Sequence, residues 1–224
     1  MRIHCLTALS LCFVLFAGAG ASRAEKLTEE GTGVEFDAKK TVDGKSYTLI
    51  GAGVRKKVFV KVYAMGLYVE DVEGKRAFPS LATKAGGTEL AKLTQGDRAQ
   101  QFVLWGQFSK LAVLHFVRDV AADKLREAFE EGLAEELAAK APADVRDVTQ
   151  LFLKQINRDA KTGEELVLRT SPDGRVELSI GGAAVPAVQN AKLARAIWGL
   201  WLGGKPISKD LRGALVNRIG ALAK

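Results

Sequence analysis

Thiol nucleophiles, zinc sites and Ser–His–Asp relays all draw on cysteine and histidine, and this chain of 224 residues has two of each. Three of those four, His4, Cys5 and Cys12, fall in a stretch that reads as a secretory signal. Arg2 gives it a positive start, Cys5 to Gly18 is apolar but for Thr7 and Ser10, and Ala19-Gly20-Ala21 and Ser22-Arg23-Ala24 both suit a signal peptidase. The apolar run is shorter than the ~20 residues of a spanning helix. Cleavage after Ala21 or Ala24 is therefore expected, with no stable membrane insertion afterwards and a periplasmic or secreted product. The remaining chain has no cysteine and one histidine, His115, which lies in an alternating strand pattern and reads as a packed core residue. No metal motif is visible and no cofactor is expected.

Gly51-Ala52-Gly53-Val54-Arg55 begins like a dinucleotide loop, but the third glycine would fall at Lys56 and a strand follows. A phosphate loop needs the free N–H groups of a helix start, so the glycines are expected to admit a close backbone approach or a bulge in a strand. The formal charge of +7 becomes about +5 without Arg2 and Arg23. The positive residues are scattered and aromatics are only 7%, which argues against nucleic acid. Trp198-Gly199-Leu200-Trp201-Leu202 is short and lacks a basic stripe, so it reads as core packing rather than a membrane-lying segment.

The elements that must position any site follow from periodicity. Gly33–Ala38 and Lys45–Lys57 are strand-like around the turn Val42-Asp43-Gly44. Val58–Asp71 alternates most strongly, with Phe59, Lys61, Tyr63, Met65 and Leu67 on one face, and the Lys56-Lys57 pair before it reads as a tight turn. Leu81–Leu93 and Arg98–Phe108 read as helices broken at Gly86-Gly87 and Gln95-Gly96-Asp97. Lys110–Arg118 is a further strand, and helices follow around Leu125 to Leu137 and from Pro142 to about Ile156. Glu165–Thr170 and Arg175–Gly181 form a hairpin around Ser171-Pro172-Asp173-Gly174. Helices Asn190–Leu202 and Lys209–Leu222 close the chain, split at Gly203-Gly204-Lys205-Pro206. This order predicts one α+β domain over 25–224, an antiparallel sheet with helices on one face and room for a ligand cleft between them.

Gly51-Ala-Gly-Val-Arg55, a short turn, and Val58-Phe-Val-Lys-Val-Tyr-Ala-Met-Gly-Leu-Tyr-Val-Glu70 resemble the signature strand pair of the chalcone isomerase family. Lys110–Val120 is similar to its central strand, Leu168–Ser179 to its late hairpin, and Asn190–Ile197 with Leu202-Gly203 to the helix after it. The resemblance implies an open-faced β-sandwich, a large antiparallel sheet under a layer of helices with the pocket between. It places the isomerase arginine at Arg55, the threonine at Tyr63, the tyrosine and asparagine near Lys124 and Glu131, and the late-helix Ser or Thr at Leu200. Only the arginine is kept. The fatty-acid-binding branch instead pairs that arginine with a tyrosine, as Arg55 and Tyr63 do.

The resemblance therefore implies a non-catalytic binder of a fatty acid or similar apolar carboxylate, with Arg55 and Tyr63 at the head group. A guanidinium forks onto both carboxylate oxygens and a phenol donates a third hydrogen bond. Phe59, Met65 and Leu67 on the Tyr63 face are candidates to line the tail channel. Lys61 either adds charge near the head group or extends to solvent. The alternative is an isomerase or intramolecular lyase in which Arg55 stabilises an oxyanion and Tyr63 donates or orients a proton.

Overall fold

The computed structural model describes residues 25–137 and 141–224; the expected signal segment, 1–24, lies outside them. Two short strands, β1 (Lys26–Thr28) and β2 (Glu35–Asp37), pair with each other. Next come β3 (Lys39–Val42), the long β4 (Lys45–Lys57) and β5 (Val60–Glu70). Helices α1 (Asp71–Ala85), α2 (Leu90–Leu93) and α3 (Arg98–Trp105) lead to β6 (Lys110–Phe116). Helices α4 (Ala122–Leu137) and α5 (Ala143–Gln155) precede the hairpin β7 (Glu165–Thr170) and β8 (Arg175–Ile180). Two-residue strands β9 (Ala183–Ala184) and β10 (Val188–Gln189) come before α6 (Ala191–Leu202), α7 (Lys209–Ala214) and a 3-10 helix, Ile219–Ala223.

One antiparallel sheet runs β10-β8-β7-β6-β5-β4-β3, with β9 added on β8. Its helix-facing side carries Tyr63, Met65, Leu67, Leu114, Phe116, Leu166 and Leu168, packed on Phe129, Leu133, Trp198 and Trp201 from the helices. Its other side carries Tyr47, Leu49, Ala64, Tyr68 and Leu111 under Phe36 of β2. The expected α+β architecture with helices on one face is thus the one observed. β5 and β6 are apolar on both sides because both sides are covered, whereas β7 alternates buried and half-buried residues as a strand with one covered face must.

Local chemistry explains most boundaries. Asp43 (φ 48°) and Gly44 (φ 74°) are both left-handed, the pairing that the two-residue β3–β4 hairpin requires. The Lys56-Lys57 turn expected from sequence is displaced: Lys57 still pairs with Val60, so the turn is Val58-Phe59. α1 starts at Asp71, ten residues before the expected Leu81. The Glu70 carboxylate accepts the Glu73 N–H at 2.7 Å, and Asp71 and Glu73 face the positive helix end; Pro79 inside the helix obscures the pattern. The single helix expected over Lys209–Leu222 is broken because the Arg218 N–H donates to the carbonyl of Ile50 on β4 at 2.8 Å, which draws the chain out of helical register. His115 is half-buried on the outer side, with Nδ1 3.8 Å from Glu165 Oε1, so it is not the core residue its alternation suggested.

Lys110 opens β6 with only 6% of its surface exposed. Its Nζ donates to the Gly106 carbonyl at 2.8 Å and lies 5.0 Å from the Phe108 ring centre. Burial pushes this amine down to about 8, against the pull of the Glu73 carboxylate. A lowered amine pKa means that the fold favours the neutral form. Between about 8 and the ordinary 10.5 the unfolded chain holds more protons, so this group's contribution to stability grows as pH rises through that window. The urea midpoint of wild type is expected to gain on that of Lys110→Met between pH about 7.5 and about 9.5; a constant gap would contradict a buried, titrating amine.

Candidate functional site

The middle of the sheet and the α4–α6 pair enclose a cavity of about 400 Å³, within the range of small-molecule sites. The cross-strand partners Arg55 and Tyr63 both line it. Buried Leu114, Phe116, Leu125, Phe129 and Trp201 form its interior, and exposed Lys57, Lys124, Glu131, Glu135 and Lys205 surround its opening. Tyr63 stacks edge-on to Phe116 at 5.8 Å, and Phe129 to Trp201 at 6.1 Å, so two aromatic pairs share the walls with aliphatic side chains.

A bulge sets this arrangement. Arg55 faces Tyr63, but Lys56 faces Lys61, so Val62 is an extra residue on β5. The extra residue turns both Val62 and Tyr63 toward the cavity and sends Lys61 to the opposite side, where its Nζ donates to the Gly31 carbonyl. Lys61 is therefore off the Tyr63 face to which simple alternation assigns it. Phe59 lies in the turn with 92% of its surface exposed, while Met65 and Leu67 are fully buried in packed core. None of these four lines the cavity, so of the six expected site residues it gathers Arg55 and Tyr63.

Tyr63 is 7% exposed, and its hydroxyl oxygen accepts the indole N–H of Trp201 at 3.0 Å. Burial pushes this phenol up to about 12, with the Trp201 hydrogen bond and the Arg55 charge opposing. At neutral pH the hydroxyl keeps its proton, and with its oxygen already accepting it has that proton to donate. Sequence reading missed Trp201 as a site residue. The available signal was that a buried indole needs an acceptor, which a phenol on the facing sheet supplies.

The charges at the opening are unequal. Arg55, Lys57, Lys124 and Lys205 face Glu131 and Glu135. Lys205 is paired with Glu135 and Lys124 with Glu127. Among the described residues, Arg55 and Lys57 have no carboxylate within salt-bridge distance; the Arg55 guanidinium donates to the Lys56 carbonyl. The opening is thus a cationic rim over an apolar, partly aromatic interior, suited to an apolar molecule with an anionic end. The five positions to which the resemblance assigned the isomerase residues, Arg55, Tyr63, Lys124, Glu131 and Leu200, all line this one cavity.

A family model described as chalcone isomerase-like matches residues 28–91 and 93–217. The chain is 26% identical over 182 residues to a chalcone–flavanone isomerase of Saussurea medusa, covering 75% of this chain and 77% of that one. It is 24% identical over 213 residues to fatty-acid-binding protein 1 of Arabidopsis thaliana, covering 89% and 72%. The crystal structure of an Arabidopsis thaliana fatty-acid binding protein superposes with a TM-score of 0.71 at 22% identity, over 89% of this chain and 99% of that chain, a likeness of fold.

Proposed function

The chain belongs to the chalcone isomerase-like family, and we propose that it is a non-catalytic binder of a fatty acid or similar apolar carboxylate. Arg55 and Tyr63 would hold the head group. The observation that carries this reading is the Arg55–Tyr63 pair across two strands: a guanidinium with no carboxylate at salt-bridge distance among the described residues, beside a buried phenol whose oxygen accepts from Trp201 and whose proton remains to be donated. Charge-assisted bonds of this kind contribute on the order of 1.5–3 kcal/mol each. Each buried methylene adds ~0.8 kcal/mol, so the tail would dominate affinity and the head group orientation. On the sequence reading of residues 1–24, this binder works in the periplasm or outside the cell.

The isomerase alternative is weaker on the same geometry. Proton transfer is most effective from a group whose pKa lies near the working pH, and Tyr63 is pushed up to about 12. The positions matched to the isomerase tyrosine, asparagine and Ser or Thr hold Lys124, Glu131 and Leu200. Native purification, organic extraction and mass spectrometry test the proposal. Co-purified fatty acids in near-stoichiometric amount are expected. No bound carboxylate, together with no heat of binding for added palmitate or laurate, would refute it. Turnover of a hydroxychalcone that disappears in Arg55→Ala would establish the isomerase instead.

A further inference from the structure

The β4–β5 turn exposes the largest run of apolar surface on the hairpin: Val58 is 81% exposed, Phe59 92% and Val60 48%. Val58 has φ 58°, a left-handed conformation that is strained for a β-branched residue and that glycine adopts freely. Two large apolar side chains are therefore held outward at the tip of the longest hairpin, at a cost to the backbone. Lys56, Lys57 and Lys61 beside the tip are exposed; Lys61 Nζ also donates to the Gly31 carbonyl and Lys57 acts on the Glu127 carboxylate from a distance, and among the described residues none of the three is in an ion pair.

Apolar side chains projecting past a collar of ammonium groups match one kind of surface: a lipid interface with anionic head groups. There the apolar tip enters the acyl boundary while the lysines stay level with the phosphates. We propose that the β4–β5 tip docks this protein on an anionic lipid surface. A second copy fits less well, because tip-to-tip contact would bring two collars of lysines together. Arg55 and Lys57 of the same hairpin line the cavity opening, so docking would set that opening beside the lipid, the phase in which apolar carboxylates are dissolved. The contact rests on the tip alone and does not require that the cavity hold a ligand.

The test uses the full chain with Phe59→Trp, titrated with vesicles of brominated phosphatidylglycerol or of brominated phosphatidylcholine. Wild type measures the background from Trp105, Trp198 and Trp201. The indole at position 59 is expected to shift to the blue and be quenched by phosphatidylglycerol vesicles. The apparent partition coefficient should fall about fivefold for each of Lys56→Gln and Lys61→Gln, and further as salt is raised. Because the probe sits at the tip, attachment through any other part of the chain leaves it unquenched. Three outcomes would overturn the proposal: no change on adding vesicles, equal change with both lipids, or a shift that follows protein concentration without lipid, which would assign the tip to a second copy. As an independent arm, Val58→Ser with Phe59→Ser should abolish the anionic-vesicle component of sedimentation while leaving the circular dichroism spectrum and thermal midpoint close to wild type; retained sedimentation at the wild-type level would equally count against docking.

Discussion

Arg55→Ala is expected to weaken binding of a long-chain fatty acid by about thirtyfold to a hundredfold, measured by calorimetry, with little change in the thermal midpoint. The affinity change follows from losing two charge-assisted hydrogen bonds in a partly exposed site, on the order of 2–3 kcal/mol in all. Stability is spared because Arg55 is half-exposed and, among the described residues, has no salt-bridge partner to orphan. Binding should not vanish, since Lys57, Lys124 and Lys205 keep the opening cationic and the apolar tail is untouched. Arg55→Lys keeps the charge without the fork and should lie between. Tyr63→Phe is the contrasting variant. It removes one hydrogen bond to the ligand, worth about fivefold, but it also strips the buried Trp201 N–H of its acceptor, costing ~1–3 kcal/mol of fold stability. An affinity for Arg55→Ala equal to that of wild type would put the head group elsewhere in the molecule.

What could be read from sequence here was whatever depends on periodicity, and what could not was whatever depends on a break in it. Tyr63, Met65 and Leu67 share a face because β5 alternates undisturbed beyond Val62. Lys61 and Phe59 do not join them because one extra residue reverses the faces and the turn falls at Val58-Phe59, and no residue there announces a turn. Valine in a left-handed position is contrary to turn chemistry, so nothing in the sequence marks the tip as a turn and alternation alone puts Phe59 on the Tyr63 face. Trp198 and Trp201 are legible as core because their segment is short and lacks a basic stripe, but the hydrogen bond that makes Trp201 part of the site joins α6 to β5, a long-range fact. The expectation that these glycines admit a close backbone approach or a bulge holds on both counts at Gly51, which meets backbone and follows a register shift, whereas Gly53 meets the side chains of Ala214 and Leu211. It could not say that the approaching backbone is the end of α7.

Gly51→Ala tests that approach, and it is expected to be the most destabilising small substitution in the β4 strand. A Cβ at Gly51 would sit 2.3 Å from the Leu215 carbonyl carbon and 2.4 Å from the Ala214 and Leu215 oxygens. These are backbone atoms, so no side-chain rotation relieves the overlap, and the end of α7 must lift from the sheet. Lifting it would also pull the Arg218 N–H from the Ile50 carbonyl, leaving a strand acceptor without its partner. An overpacking cost of ~1–3 kcal/mol plus a lost buried hydrogen bond of ~1 kcal/mol or more gives about 3 kcal/mol, a fall in thermal midpoint on the order of 10 °C for a domain of this size. Gly213→Ala is the control: it lies in the same short helix, has nothing within 4 Å of the added carbon, and should be neutral or slightly stabilising because alanine favours the helix. The effect reaches the cavity, since the segment between α6 and α7 carries Lys205 and Ile207 to its opening. A folded Gly51→Ala protein should therefore bind fatty acid more weakly than wild type, although the substituted atom touches no ligand. Equal midpoints for the two glycine variants would show that α7 is not held on β4 by this contact.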